Sequence, residues 1–176
     1  MKLVKPFTAL LTLLLFFGFG IPKTVHKKVI KEVEKTFEVS DFSLHPVMVD
    51  KEVNVELPTK ISGDNFYKID LQDSILGYAF VDQAPSKTAK FDYLVVFDSD
   101  LQVINSKVLI YREEYGGEIG SKRWLKQFIG KKGGDRVSHE TNIDAISGAT
   151  ISVRSMTKSM DNLLQTIGIL QEKGQL

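Results

Sequence analysis

Four β-rich stretches that follow one another with no helix-length segment between them set the strongest limit on the fold. FYKIDLQ, ILGYAFVDQ, KFDYLVVFD and QVINSKVLIYRE are rich in β-branched and aromatic residues with partial alternation, the pattern of strands. Turn material sets them off: SGDN, APSKT and DSD. A parallel connection needs a crossover of about a dozen residues or more, and these spacings do not provide one. DSD is short enough to close an antiparallel hairpin. The sequence therefore predicts an antiparallel sheet.

Helical periodicity brackets that sheet. In KTVHKKVIKEVEKTF, Val25, Val29, Ile30, Val33 and Phe37 recur at helical spacing, with lysines and glutamates on the other face. This reads as an amphipathic helix between the membrane and the domain, with Phe37 turned inward near its end; a coiled-coil stalk competes, but two turns of periodicity do not support it. At the other end of the chain, Met156, Met160, Leu163, Leu164, Ile167 and Leu170 trace one apolar stripe along a helix from about Thr150 to Glu172. Between sheet and closing helix lies a section with six glycines, in which SKRWLKQFIG reads as a short helix carrying Trp124, Leu125 and Phe128. The expected class is α+β: an antiparallel β-sheet packed with helices, preceded by an N-terminal hydrophobic anchor or signal helix.

That preceding segment is legible in its charge. Lys2 and Lys5 come before FTALLTLLLFFGFGI, residues 7–21, which carries no charge. A basic region followed by an apolar one is the layout of an export signal. A membrane-spanning helix wants roughly 20 apolar residues, with about 17 as the lower limit. Counting Pro6 and Pro22 the run reaches 17, so it sits on the border between a retained anchor, the reading favoured here, and a segment cleaved after Gly20. A buried core helix fits poorly, because a terminal helix apolar on every face has little to bury against in so small a domain. Residues 1–22 are therefore expected to be the signal or anchor, and residues 23–176 the folded domain.

Composition excludes several classes of function. With 176 residues, 43% of them hydrophobic, the chain can bury one core. Its 23 basic and 22 acidic residues leave a net charge of +1, which gives no global attraction for nucleic acid. The absence of cysteine excludes disulfides, thiolate metal sites, iron–sulfur clusters and a thiol nucleophile. His139 and Glu140 have no further ligands nearby in sequence, so a metal site is not expected.

The chemistry concentrates in DAISGAT, residues 144–150. Ser147 suits a helix N-cap, and Gly148 gives a backbone that turns sharply and lets a ligand approach closely. The first turn of the following helix exposes unpaired N–H groups at the positive end of the helix dipole, a place for an anion. Thr150 falls in that turn. Asp144 adds negative charge, so it suits a turn former or a recognition handle better than a phosphate ligand. Two readings stand on these residues: a turn with a helix cap, the commoner by composition, or a threonine that carries a phosphate-bearing group. A serine hydrolase does not fit, because SGAT is not G-x-S-x-G and only His139 is near Ser147.

Asp144, Ala145, Ile146, Ser147, Gly148, Ala149 and Thr150 resemble the flavinylation motif D-x-x-[ST]-G-A-T of the FMN-binding domain family. That family includes the G subunit of Rnf complexes and the C subunit of sodium-pumping NADH:quinone oxidoreductase. The resemblance implies that a flavin transferase, using FAD, attaches FMN through a phosphoester to Thr150. It extends to the order of a G-Y strand in ILGYAFVDQ, a hairpin, and the loop in VLIYREEYGGEIG, which is similar to an H-x-E-T-P-G-L-G loop. Glu113 and Gly116 match the glutamate and glycine of that loop, whereas Tyr111, Glu114 and Tyr115 replace its His, Thr and Pro. Trp124, Phe128 and Gly130 match the family's W-and-F-G spacing. APSKTAK stands where the family has a Gly-rich turn.

The cofactor-binding set implied by the motif and the resemblance is Thr150, Ser147, Gly148, Ala149, Asp144, Glu113, Gly116 and Trp124. Trp124 either stacks on the isoalloxazine ring or packs in the core. Glu113 either bonds ring or ribityl groups or caps its loop. The basic stretch Lys122, Arg123, Lys126, Lys131, Lys132 and Arg136 reads as a solvated face, or as a site for flavin phosphate or an acidic redox partner. The expected function is a membrane-tethered, extracytoplasmic electron carrier with covalent FMN and redox partner proteins. A flavin-dependent reductase with its own small-molecule acceptor is the alternative within redox biology. A non-redox envelope binding module is the alternative outside it.

Overall fold

The computed structural model describes residues 21–72 and 74–176. The expected anchor or signal helix in residues 1–22 lies outside them, apart from Ile21 and Pro22. Among the described residues no helix is long and apolar enough to cross a membrane.

Helix α1 (Lys23–Phe37) forms where the periodicity predicts it. Two short elements follow, strand β1 (Ser43–Pro46) and helix α2 (Lys51–Glu56). Then come β2 (Phe66–Leu71), β3 (Ser74–Pro85), β4 (Lys90–Asp98) and β5 (Val103–Ile110). The five strands form one sheet in chain order, each antiparallel to its neighbours. The DSD hairpin joins β4 to β5: the Asp98 carboxylate accepts from the backbone N–H groups of Asp100 (3.0 Å) and Gln102 (2.8 Å), a side-chain bond that mimics a backbone turn. A short helix α3 (Lys122–Leu125) runs on into a single 3₁₀ turn, Lys126–Phe128. The chain closes with α4 (Thr150–Glu172).

Helices cover both faces of the sheet. Val25, Val29 and Val33 of α1 are buried with Ile69, Ala79, Val81, Leu94 and Val96 from one face. Full burial of each valine stabilises the fold by roughly 1.5–3 kcal/mol. Phe66, Phe80, Phe91, Tyr93, Val95 and Phe97 pack on the other face with Met156, Met160, Leu163, Leu164, Ile167 and Leu170 of α4. Strand β4 therefore feeds both cores, which is why its sequence reads as a nearly continuous apolar run. The α+β expectation holds.

Helix α1 is part of the folded domain, because its valine stripe is spent on the sheet of its own chain. Phe37 packs inward as predicted, reaching β3 at Gly77.

Candidate functional site

The DAISGAT segment is fixed at its start by side chains of the preceding helical turns. Gln127 accepts from the Asp144 backbone N–H (2.8 Å), and the Trp124 indole N–H donates to the Asp144 carbonyl (2.7 Å). Trp124 is 4% exposed and meets Phe128 edge-to-face, with ring centroids 5.3 Å apart. The stacking role considered for Trp124 is therefore corrected: it is a core residue that positions the segment. Trp124→Phe removes the indole donor but keeps an aromatic ring. It is expected to cost about 1 kcal/mol, the usual net value of such a bond, measured by urea denaturation.

From Ile146 the chain turns into α4. The Ala149 N–H donates to the Ile146 carbonyl (3.1 Å), and Gly148 sits at φ +82°. That is a β-turn whose third residue has positive φ, a position that favours glycine. The N-cap of α4 is Ala149, with no side-chain cap bond. The expectation that Ser147 caps the helix is thereby corrected. Ser147 occupies the turn's second position and is exposed, so its hydroxyl is two residues short of the helix boundary. Ala149 is buried, and the Val153 N–H donates to its carbonyl (2.9 Å). Thr150, the next residue, is exposed in the first turn of a 23-residue helix, where backbone donors and the helix dipole favour an anion.

The Gly-rich loop after β5 packs against this turn. Gly116 has φ +84°, and a Cβ there would lie 2.7 Å from the Tyr111 hydroxyl and 3.6 Å from Ala149. Both the backbone angle and the close approach call for glycine. The Tyr111 hydroxyl bonds the Tyr115 carbonyl (3.0 Å) and the Ser152 hydroxyl of α4 (3.0 Å). One phenol thus ties the loop to the first turn of the helix that bears Thr150.

Glu113 faces the loop between β3 and β4. One of its carboxylate oxygens accepts from the Thr88 backbone N–H (2.5 Å), the Thr88 hydroxyl (2.9 Å) and the Ala89 backbone N–H (3.0 Å). The Thr88 backbone N–H is the main reason its pKa is lowered to about 2. Of the two roles read from sequence, the structure shows the loop-capping one. A carboxylate whose folded pKa is depressed contributes stability above its unfolded value near 4.5. That contribution fades as the pH falls from there towards 2. The amide resonances of Thr88 and Ala89 should therefore titrate with a midpoint near 2. Glu113→Gln should abolish the titration and speed exchange of both amides.

These elements enclose an open cavity of about 260 Å³ whose walls include Lys87, Tyr111, Glu113, Tyr115, Thr150 and Ile151. Gly148, Ala149 and Ser152 also line it. Of the residues expected from sequence, Glu113, Gly148, Ala149 and Thr150 meet here, and Gly116 packs directly behind. Asp144, the first residue of the segment, Ser147 and Trp124, which bonds the Asp144 carbonyl, line no part of the cavity. Sequence reasoning missed Lys87, Tyr111, Tyr115, Ile151 and Ser152 as lining residues. Lys87 belongs to the APSKTAK departure from the family pattern, and Tyr115 stands at one of the altered loop positions. The basic stretch lines no part of this cavity, and its Arg136 makes a bidentate pair with Asp161, both bonds 2.9 Å. His139 and Glu140 form only an isolated 3.8 Å pair.

A search of curated proteins found no match to the chain. The family model for the FMN-binding domain matches residues 87–165, a span that contains Lys87, the Glu113 loop, DAISGAT and most of α4. This segment, somewhat under half of the chain, is similar to the FMN-binding domain family.

Proposed function

We propose that the protein is a membrane-tethered, extracytoplasmic flavoprotein that carries FMN in a phosphoester to Thr150 and passes electrons between redox partners. The observation that carries the proposal is Thr150, exposed in the first turn of α4 and lining the cavity, inside a segment similar to the FMN-binding domain family. The residues present fit the group. The helix start offers N–H donors to a phosphate, Lys87 brings a cation to the same cavity, and Tyr115 and Ile151 offer apolar surface to a ring. When bound, FMN supplies chemistry that accepts or gives one or two electrons, while the protein supplies position and electrostatics.

The chain's own residues do the rest. Glu113 holds the loop that carries Lys87, and Tyr111 holds the loop that carries Tyr115 against α4. Gln127 and Trp124 fix where DAISGAT begins. Attachment requires a flavin transferase as maturation partner. The basic run of residues 2–5 and the apolar residues 7–21 support export, where a covalent link prevents loss of the flavin. The test is expression with and without a flavin transferase, followed by a denaturing gel read for flavin fluorescence. A fluorescent band only with the transferase is the expected result. A dark band in both contradicts the proposal.

A further inference from the structure

We infer that Tyr115 is the residue against which the isoalloxazine ring of the attached flavin stacks, an inference that rests on FMN being carried by Thr150. Tyr115 is 81% exposed, yet it is not a loosely held side chain on a wandering loop. Its carbonyl accepts the Tyr111 hydroxyl, the same hydroxyl that bonds Ser152 of α4. The next residue, Gly116, packs against Ala149. The backbone beneath Tyr115 is thus tied to the helix turn that presents Thr150, and both residues line the same cavity. Ile151, 50% exposed, adds apolar surface beside the hydroxyl.

The other aromatic groups near the site are committed elsewhere. Trp124 is buried against Phe128 and bonded to Asp144. Tyr111 packs its ring towards Phe91, with centroids 5.8 Å apart, and spends its hydroxyl on the loop and α4. Tyr115 alone among these three offers an open ring face, and a planar heteroaromatic ring gains from offset stacking on such a face. The helix start and Lys87 would favour the ligand's phosphate, and Tyr115 and Ile151 would offer its ring apolar surface.

The test uses flavin-loaded full-length protein, with intact mass confirming the adduct in each sample. Contact with a phenol quenches an excited flavin by electron transfer from phenol to flavin, and the electron returns as the ground state is restored. Tyr115→Leu should raise flavin emission several-fold, lengthen its lifetime, and increase the bimolecular rate constant of iodide quenching (the quenching slope divided by the lifetime) because one ring face is uncovered. Tyr115→Phe should also raise emission, since a phenyl ring is harder to oxidise, but should leave that rate constant as in the wild type. Loaded Tyr115→Leu protein with unchanged emission and iodide quenching overturns the inference while leaving attachment intact. Wild-type protein that carries no adduct overturns both. Folding is not at issue in these variants, because the loop is held through the Tyr115 backbone and the side chain is exposed.

Discussion

Gly77→Ala is expected to destabilise the protein by about 3 kcal/mol or more, the upper part of the range for overpacking. A Cβ at this position would lie 2.0 Å from the Phe97 carbonyl oxygen, 3.1 Å from the Phe97 carbonyl carbon and 2.9 Å from Cζ of Phe37. The Phe37 ring is the end of a side chain and can rotate away. The Phe97 carbonyl is backbone of β4, so relief requires β3 and β4, two inner strands, to part where Gly77 pairs with Asp98. Domains of this size are stable by only about 5–15 kcal/mol, which makes the change a large fraction of the whole. Gly63→Ala is the control, since a Cβ there meets nothing within 4 Å, and it should shift stability by no more than about 0.5 kcal/mol. Urea denaturation of the three proteins checks this. A Gly77→Ala midpoint equal to that of Gly63→Ala contradicts it.

The second large effect is chemical. Thr150→Ala should abolish covalent flavin while leaving the fold in place. Thr150 is exposed at the start of α4, and the helix cap is supplied by Ala149 without a side-chain bond, so the lost hydroxyl supports no packing. Surface changes of this kind usually move stability by within about 0.5 kcal/mol. Thr141→Ala, at an exposed threonine in the turns that precede α4, should keep both fold and flavin. Thermal melts followed by fluorescence of the denatured protein separate the two effects. Loss of flavin with loss of fold would point to a structural role for Thr150.

The parts of this fold that sequence reveals are those whose burial is periodic. The stripe of α4 repeats at three- and four-residue steps because one face meets the sheet, and all six of its predicted apolar residues are buried. Strand β1 and helix α2 gave no comparable pattern. β1 is a four-residue edge strand, largely exposed, and α2 has six residues with none buried. The site divides in the same way. Thr150, Gly148 and Ala149 are local to one turn and were legible from a seven-residue motif. Lys87 and Tyr115 reach the cavity only because Glu113 and Tyr111 tie separate loops together, and no spacing in the chain encodes those bonds. Trp124 shows the opposite difficulty. A large aromatic beside a motif looks like a stacking group until the structure shows its ring against Phe128 and its N–H on Asp144. Ser147 looks like a cap by type, but the turn at Gly148 carries the chain two residues further before α4 begins.

The most direct measurement of the central claim is proteolytic digestion of protein made with a flavin transferase, with mass mapping of every threonine- and serine-containing peptide. One modified peptide is expected, the one containing Thr150, heavier than its sequence mass by FMN less one water, as formation of a phosphoester requires. Finding that peptide only unmodified, or finding FMN on Ser147, Thr141 or any other residue in its place, would contradict it.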